Sequence, residues 1–298
     1  MKKKILGLLG LILIGALVWY LFIKPYDYLV SFTADTTPGT INQSIKVWKK
    51  TLENSQILRQ KGLGDLEQQI RFNDSTHLYH WEITSIEEAR SKVKVYIKDN
   101  DHSLFNKITI PFSNTDFEKR SKKTLIGFKA FLTDHIEKTR VQLAGEDEVK
   151  ATFCAYVALK GLQSEKALGM MRTYPLLSTI LVDNGIELNG LPFIEVTKWD
   201  MQTDSIHYNF CFPILKSATF PKHPDLKYKQ IYRKKALKAI YHGHYNTSDR
   251  AWYTLLEHAK RNNVEVTGLP VEYFYNNPNV GANEEEWRAE VYMPLKDQ

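Results

Sequence analysis

Residues 185–196, GIELNGLPFIEV, and residues 263–274, NVEVTGLPVEYF, carry the same turn, with Gly190, Leu191 and Pro192 matching Gly268, Leu269 and Pro270. The neighbourhoods match as well. FCAYVALKG (153–161) reads as a strand and leads into a helical stretch ending near Asn184; after the first turn, IHYNFCFPI (206–214) is again strand-like. The second neighbourhood runs ALKAIYHG (236–243), then a helix through Trp252, Leu255, Leu256 and Ala259, then RAEVYMPL (288–295), with Pro294 in the place of Pro213. Gly-Leu-Pro alone is a commonplace tripeptide, but a shared order of four elements points to an internal repeat. Each copy is strand, helix, strand, strand. Two such units are expected to join as a pseudo-twofold sheet with helices on one face and a concave cleft on the other.

Towards the N-terminus, GEDEV (145–149) reads as the linker to a preceding domain. There YDYLVSFTA (26–34) alternates like a strand, TTPGT is a turn, and INQSIKVWKKTLE (41–53) places Ile41, Ile45, Trp48 and Leu52 at helical spacing. LEQQIRF, HLYHWEITSI and SKVKVYIKD follow as strands of an antiparallel meander, with LFNKITIPF (104–112) as a fourth candidate. From Asp116 to about Val141, Leu125, Phe128, Phe131, Leu132 and Ile136 mark a long helix with one apolar face. The fold class is α+β, in three parts: 1–25, 26–145 and 150–298.

The first part is set apart by residues 5–23, ILGLLGLILIGALVWYLFI, which are uncharged over a length whose helix nearly crosses a ~30 Å hydrocarbon core. The run ends in Trp19, Tyr20, Phe22, Lys24 and Pro25 rather than at a small-residue cleavage site, so it reads as an uncleaved transmembrane anchor. Lys2, Lys3 and Lys4 precede it and only Lys24 follows, which places the N-terminus in the cytoplasm and the folded part outside it. Of the 298 residues, 43% are hydrophobic and 25% charged, an ordinary balance for folded domains. The formal charge is +6, but without these four lysines it is about +2, so nucleic acid is not an expected partner.

Alternation along 286–294 puts Glu286, Arg288, Glu290 and Tyr292 on one strand face and Trp287, Ala289, Val291 and Met293 on the other, under the helices. Glu290 and Tyr292 then face the cleft, where a partly desolvated carboxylate can pair with a cation or take part in proton transfer; the bland alternative is a solvated strand acid. The first copy has Asn209 where the second has Glu290, which leaves a single acid and argues against paired-carboxylate glycosidase chemistry. Tyr245, Tyr273 and Tyr275 could enclose a flat or cationic ligand, whereas Trp252 and Trp287 suit the core. His242 and His244 lack a third ligand at supporting spacing, so no metal is expected, and no phosphate loop, nucleophile elbow or HExxH motif calls for a cofactor. Cys154 and Cys211, the two cysteines of the chain, could form one bridge but fit core thiols better than catalysts.

On the glycine turn in YHGHY, the helix after it, VTGLPVEYFYNNP and the terminal AEVYMPL, the second half resembles the GyrI-like small-molecule-binding family, which also supplies effector-binding domains of AraC-type and MerR-type regulators. The resemblance implies an aromatic cleft for lipophilic or cationic ligands, with Glu290 as its acid and Tyr292, Tyr245, Tyr273, Tyr275 and Asn209 around it. Some relatives are hydrolases of reactive, cyclopropane-bearing compounds, which would make Glu290 a general acid or base. A regulator of transcription or of gyrase is a third implication, though no helix-turn-helix pattern precedes the domain. VSFTADTTPGTINQSIKVW and GFKAFLTDHIEK are similar to parts of START or polyketide-cyclase (SRPBCC) domains, implying a helix-grip sheet around a long helix for residues 26–145. The expected protein is a membrane-anchored binder or sensor of a small molecule, with no cofactor and more a receptor than an enzyme.

Overall fold

The structure, a computed structural model, describes residues 2–217, 219–277 and 283–296. The chain forms two compact units that divide between Thr133 and Asp134, with Glu87–Ala89 grouped with the second.

In the first unit, α1 (Lys2–Val18) passes into a π-helical turn, Trp19–Ile23. Lys4–Ile23 has a mean hydropathy of 2.5 and none of it is buried, so this helix is long and apolar enough to cross a membrane. Then come β1 (Tyr28–Ala34) and α2 (Pro38–Lys49), whose first turn is set by Pro38 and by the Thr37 hydroxyl accepting from the Thr40 amide. β2 (Ser55–Lys61), β3 (Asp65–Arg71), β4 (Thr76–Glu87) and β5 (Arg90–Asp99) complete an antiparallel sheet in the order β1-β5-β4-β3-β2. Its buried face, with Leu66, Ile70, Tyr79, Trp81, Val93 and Val95, is covered by α2 and by α4 (Asp116–Glu137), where Phe128 meets Trp48 at 5.3 Å and Trp81 at 4.9 Å. Two expectations change. SQILRQK, unassigned in the sequence, is the edge strand β2, whose half-exposed face hides its alternation. LFNKITIPF is not a strand: α3 (Ser103–Thr109) occupies it, and Asp99 just before it accepts from the His102 amide and from Asn106 Nδ2.

The second unit contains β6 (Arg140–Val149), β7 (Thr152–Leu162), α5 (Lys166–Asp183), β8 (Phe193–Asp200), β9 (Ser205–Pro213), β10 (Lys227–Ile231), β11 (Lys234–His242), α6 (Asp249–Arg261), β12 (Val271–Phe274) and β13 (Arg288–Pro294). GEDEV is therefore no linker but the end of β6, an edge strand paired with β11; its acids face solvent, and the apolar alternation that betrays a strand is absent. The sheet order is β10-β7-β9-β8-β12-β13-β11-β6, so β7-β9-β8 meets its reversed counterpart β12-β13-β11 at the β8–β12 pair. Single bridges Leu188↔Ile214 and Val266↔Leu295 stand at equivalent places in the two halves.

Only Tyr232 and Arg233 link β10 to β11, although six strand spacings separate them in the sheet. Flat, those strands would lie about 29 Å apart, whereas three Cα steps reach about 11 Å. The sheet must curl until its two ends approach. The helices pack against the outer face with Val157, Tyr208, Phe210, Trp252, Ala289, Val291 and Met293, while Val149, Cys154, Phe193, Cys211, Ile231, Val271 and Tyr292 gather on the inner one. Under the helices a buried polar network joins the halves: Lys166 Nζ donates to the Tyr245 carbonyl (2.9 Å), Gln163 Nε2 to Asp249 (2.6 Å), and Trp199 Nε1 to Gln163 (2.8 Å). Each buried donor finds an acceptor from another element, which fixes how the two helices sit.

Gly243 ends β11 at φ +138°, donating its amide to the Trp287 carbonyl. A Cβ there would stand 2.5 Å from Tyr241 Oη and 3.0 Å from the Lys138 carbonyl, so clash adds to backbone strain. Gly243→Ala is expected to lower stability by about 1–3 kcal/mol, read as a lower melting temperature. An unchanged melting temperature would show that this turn tolerates a side chain.

Candidate functional site

Strand parity and register assemble the inner face. β13 contributes Arg288, Glu290 and Tyr292; β12 contributes Val271 and Tyr273, with Tyr273 opposite Glu290 and Val271 opposite both Tyr292 and Glu195. β8 adds Phe193 and Glu195, and β9 adds Asn209 and Cys211, paired with Glu195 and Phe193. β7 supplies Cys154 and Tyr156, β11 supplies Ala236 and Lys238, and Lys229 arrives from β10 opposite Cys154. The expected face of the terminal strand is the one observed: Ala289, Val291 and Met293 lie under the helices, and Glu290 and Tyr292 lie inside the curl.

Glu290 is buried and heavily solvated by protein. It accepts from Tyr292 Oη (2.9 Å) and pairs with Arg288 (2.6 Å) and Lys238 Nζ (3.2 Å), while Tyr275 also bonds to it. Desolvation works to raise its carboxyl, but the hydrogen bonds from Tyr292, Lys238 and Tyr275 and the charge of Lys238 outweigh burial and hold it below the usual carboxylate range. Lys238 bonds Asp147 as well (2.9 Å) and lies over the Tyr292 ring, 5.1 Å from its centre. Burial works against its charge, yet these bonds push its ammonium above the ordinary lysine value.

The other half of the face has its own acid, which the sequence reading missed. Glu195 accepts from Asn209 Nδ2 (2.9 Å) and forms a close ion pair with Lys229, whose ammonium sits 4.9 Å from the Tyr156 ring centre. With Asp147 of β6, which also bonds Lys238, the face thus has three carboxylates rather than one. The signal was present in FIEV, where Phe193 and Glu195 alternate with the buried Ile194 and Val196, but only the sheet order shows that this alternation faces the same way as that of β13. Across β12 and two positions along, the Cα atoms of Glu195 and Glu290 are about 12 Å apart by strand spacing and rise. Each acid answers to its own lysine.

Between these polar ends lies an aromatic and thiol floor. Phe193 and Tyr273 have ring centres 4.9 Å apart, Tyr273 and Tyr292 5.6 Å. The Tyr273 hydroxyl has no hydrogen-bond partner among the described residues, and burial pushes its phenol well above the ordinary tyrosine value. Cys154 and Cys211 are free thiols; with Cys154 opposite Pro213 and Cys211 opposite Tyr156 they are diagonal neighbours, and burial pushes Cys211 well above the usual thiol range. The bridge that the sequence left open is not formed, and both thiols sit in the core. A cavity of about 390 Å³ opens where the β10–β11 link crosses this face, lined by Glu195, Lys229, Ile231, Lys234, Val271 and Pro294.

Tyr245 does not join this group. It falls in a short 3-10 turn after Gly243, where strand parity no longer applies, and packs on the helix side against Phe274 (4.7 Å) and Trp287 (5.1 Å), its hydroxyl donating to the Arg288 carbonyl. There it lines a second cavity of about 130 Å³ with Met170, Tyr174, Phe210, Phe274 and Trp287. That is below the ~300 Å³ at which drug-sized sites begin, so the inner face is the stronger candidate. Tyr275 stands at its edge with the Arg288 guanidinium 4.3 Å from its ring centre. Trp252 and Trp287 are core, as expected. Among the described residues no three His, Cys, Asp or Glu side chains converge as metal ligands would.

Residues 147–296 match the family of GyrI-like small molecule binding domains, half of the chain. Among solved structures, the C-terminal domain of EcmrR is 15% identical over 53% of this chain and 99% of its own (TM-score 0.46). SAV2435 bound to tetraphenylphosphonium is 10% identical over 53% and 94% (TM-score 0.35), and a hydrolase from Listeria innocua is 8% identical over 51% and 92% (TM-score 0.35). No curated protein matches the chain significantly. On the family match and the architecture that carries it, the chain belongs to the GyrI-like small molecule binding domains.

Proposed function

We propose that the inner face of the second unit is a receptor site for an aromatic, lipophilic small molecule, and that the N-terminal helix holds this receptor at a membrane. The carrying observation is the floor itself: Phe193, Tyr273 and Tyr292 in ring contact, with a Tyr273 hydroxyl that finds no partner among the described residues. An unpartnered buried hydroxyl costs about 1–3 kcal/mol, which a ligand acceptor would recover. The face is charge-balanced, since Glu195, Asp147 and Glu290 are met by Lys229, Lys238 and Arg288. A neutral ligand suits it directly; a cation has to draw Glu290 away from Arg288 and Lys238.

The same geometry speaks against the hydrolase reading. A general acid needs a carboxyl still protonated near neutral pH, and Glu290, held below the ordinary range, is ionised there and protonates only in more acidic solution. As a base it is weakened by its donors. We read the mirrored strand order about the β8–β12 pair as the product of duplication, with Glu195 and Tyr273 occupying equivalent places in the two copies.

Calorimetric titration of the full chain in lipid nanodiscs, corrected against empty discs, tests the proposal with triphenylphosphine oxide as the neutral probe and tetraphenylphosphonium as the cationic one. Tyr273→Ala should weaken both by about 1 kcal/mol or more through lost ring contact. Tyr273→Phe should weaken only the oxide, by about 0.5–1.5 kcal/mol. Glu290→Gln should weaken only the phosphonium, by about 1–3 kcal/mol. If Tyr273→Ala binds both probes as the unaltered chain does, the inner face is not the site.

A further inference from the structure

Helix α3 is built inside out. Its polar Asn106 and Lys107 are buried, at 2% and 3% exposure, while Leu104 (46%), Phe105 (64%), Ile108 (49%) and, just beyond it, Phe112 (88%) point outward. Water-facing helices show the opposite arrangement, and four large side chains within nine residues form an exposed apolar patch of the kind that marks an interaction surface.

The buried polar side of α3 shows where that surface lies. Lys107 Nζ donates to the carbonyls of Leu21 (3.3 Å) and Lys24 (2.6 Å), the last acceptors of the N-terminal helix and its exit, and stands 3.8 Å from Asp27. Asp27 in turn accepts from Ser103 Oγ (2.6 Å) and the Asp99 amide (2.9 Å). Helix ends leave such carbonyls without partners, and a lysine ammonium suits the negative end of the helix. The passage from Ile23 to β1 is thus clamped rather than slack, and α3 is packed against the final turn of the apolar helix. At that turn Trp19, Phe22 and Ile23 are exposed as well, and Lys24 lies over the rings of Tyr20 (4.7 Å) and Tyr26 (4.3 Å). Aromatic rings with a flanking lysine are the residues that settle at a membrane–water boundary.

We infer that α3, through Phe112, lies in the interfacial layer of the bilayer that the N-terminal helix enters, with Leu104, Phe105, Ile108 and Phe112 set among the lipid headgroups and upper acyl carbons. The inference rests on the membrane-anchor reading. Lipid is the occupant because the patch is continuous with the apolar helix and pinned to its exit. α3 then adds a second membrane contact to the tether of the N-terminal helix, and the first unit is docked on the membrane surface rather than suspended from it.

The test uses the full chain in phosphatidylcholine–phosphatidylglycerol vesicles, carrying either Phe112→Cys or Leu13→Cys labelled with an environment-sensitive nitrobenzoxadiazole. The native thiols are buried, and the unaltered chain serves as the labelling blank. Both positions are highly exposed in the protein, so neither substitution disturbs its packing. The expected result is quenching at position 13 mainly by lipids carrying a nitroxide at a deep acyl carbon. Position 112 should show blue-shifted emission and be quenched several-fold more by a shallow nitroxide than by a deep one. Quenching at 13 with water-like, unquenched emission at 112 overturns the docking of α3 while leaving the anchor in place. Blue-shifted but unquenched emission at 112 assigns the patch to a protein contact and overturns the lipid. No quenching at 13 removes the anchor reading and this inference together.

Discussion

The two-residue link between β10 and β11 constrains the second unit more than any single contact. Because Tyr232 and Arg233 must join strands that stand six places apart in the sheet, the sheet closes on itself, and one face becomes concave. The helices lie against the other face, so the concave side is left for side chains that point inward at period two. Everything at the candidate site follows from that parity. Glu290, Tyr292, Tyr273, Phe193, Glu195 and the two cysteines converge from five regions of the sequence because each has the same phase on its strand, and the curl turns a shared face into an enclosure.

Such an enclosure sets two terms against each other. The rings favour burying an apolar ligand at about 25 cal/mol per Å² of surface removed from water. The ion pairs at either end limit what charge can enter, since a cation has to replace Arg288 or Lys238 at Glu290 and also give up its own hydration. On the proposed reading, selectivity for neutral or weakly polar aromatic molecules is the expected balance. The lysines also lie over the faces of Tyr292 and Tyr156, which keeps their alkyl stems against the floor and their charge at its margin.

Sequence periodicity revealed elements whose environment differs between their two faces. The strand-helix-strand-strand order in each half of the second unit and the phase of Glu290 and Tyr292 were legible for that reason, whereas the N-terminal helix was legible as an uninterrupted apolar run. Of the edge strands only β1 alternates clearly enough to be read; β6, ending in GEDEV, faces solvent with acids, and β2 and β10 are short or half-exposed. Glu195 alternated correctly within FIEV, but a strand read alone does not reveal which face its neighbours present. Tyr245 was misplaced because it sits in a turn after Gly243, beyond the reach of strand parity. In α3 the polarity is reversed, so LFNKITIPF mimics a strand until the buried Asn106 and Lys107 show a helix whose outer side is apolar. The likeness of residues 26–145 to START-type domains rests on the sequence alone.

Whether ligand enters the concave face and not the helix side is a question that strand alternation lets one measurement decide. A tritiated, diazirine-bearing triphenylmethyl probe can be photolysed with the full chain in nanodiscs and the labelled residues mapped by mass spectrometry. Labelling is expected at Phe193, Tyr273 and Tyr292, competed by triphenylphosphine oxide, with Ile194, Phe274 and Val291 untouched. Labelling of Phe274 together with Met170, Tyr174 or Trp287, and none on the inner-face residues, would place the ligand in the small helix-side cavity and contradict entry at the concave face.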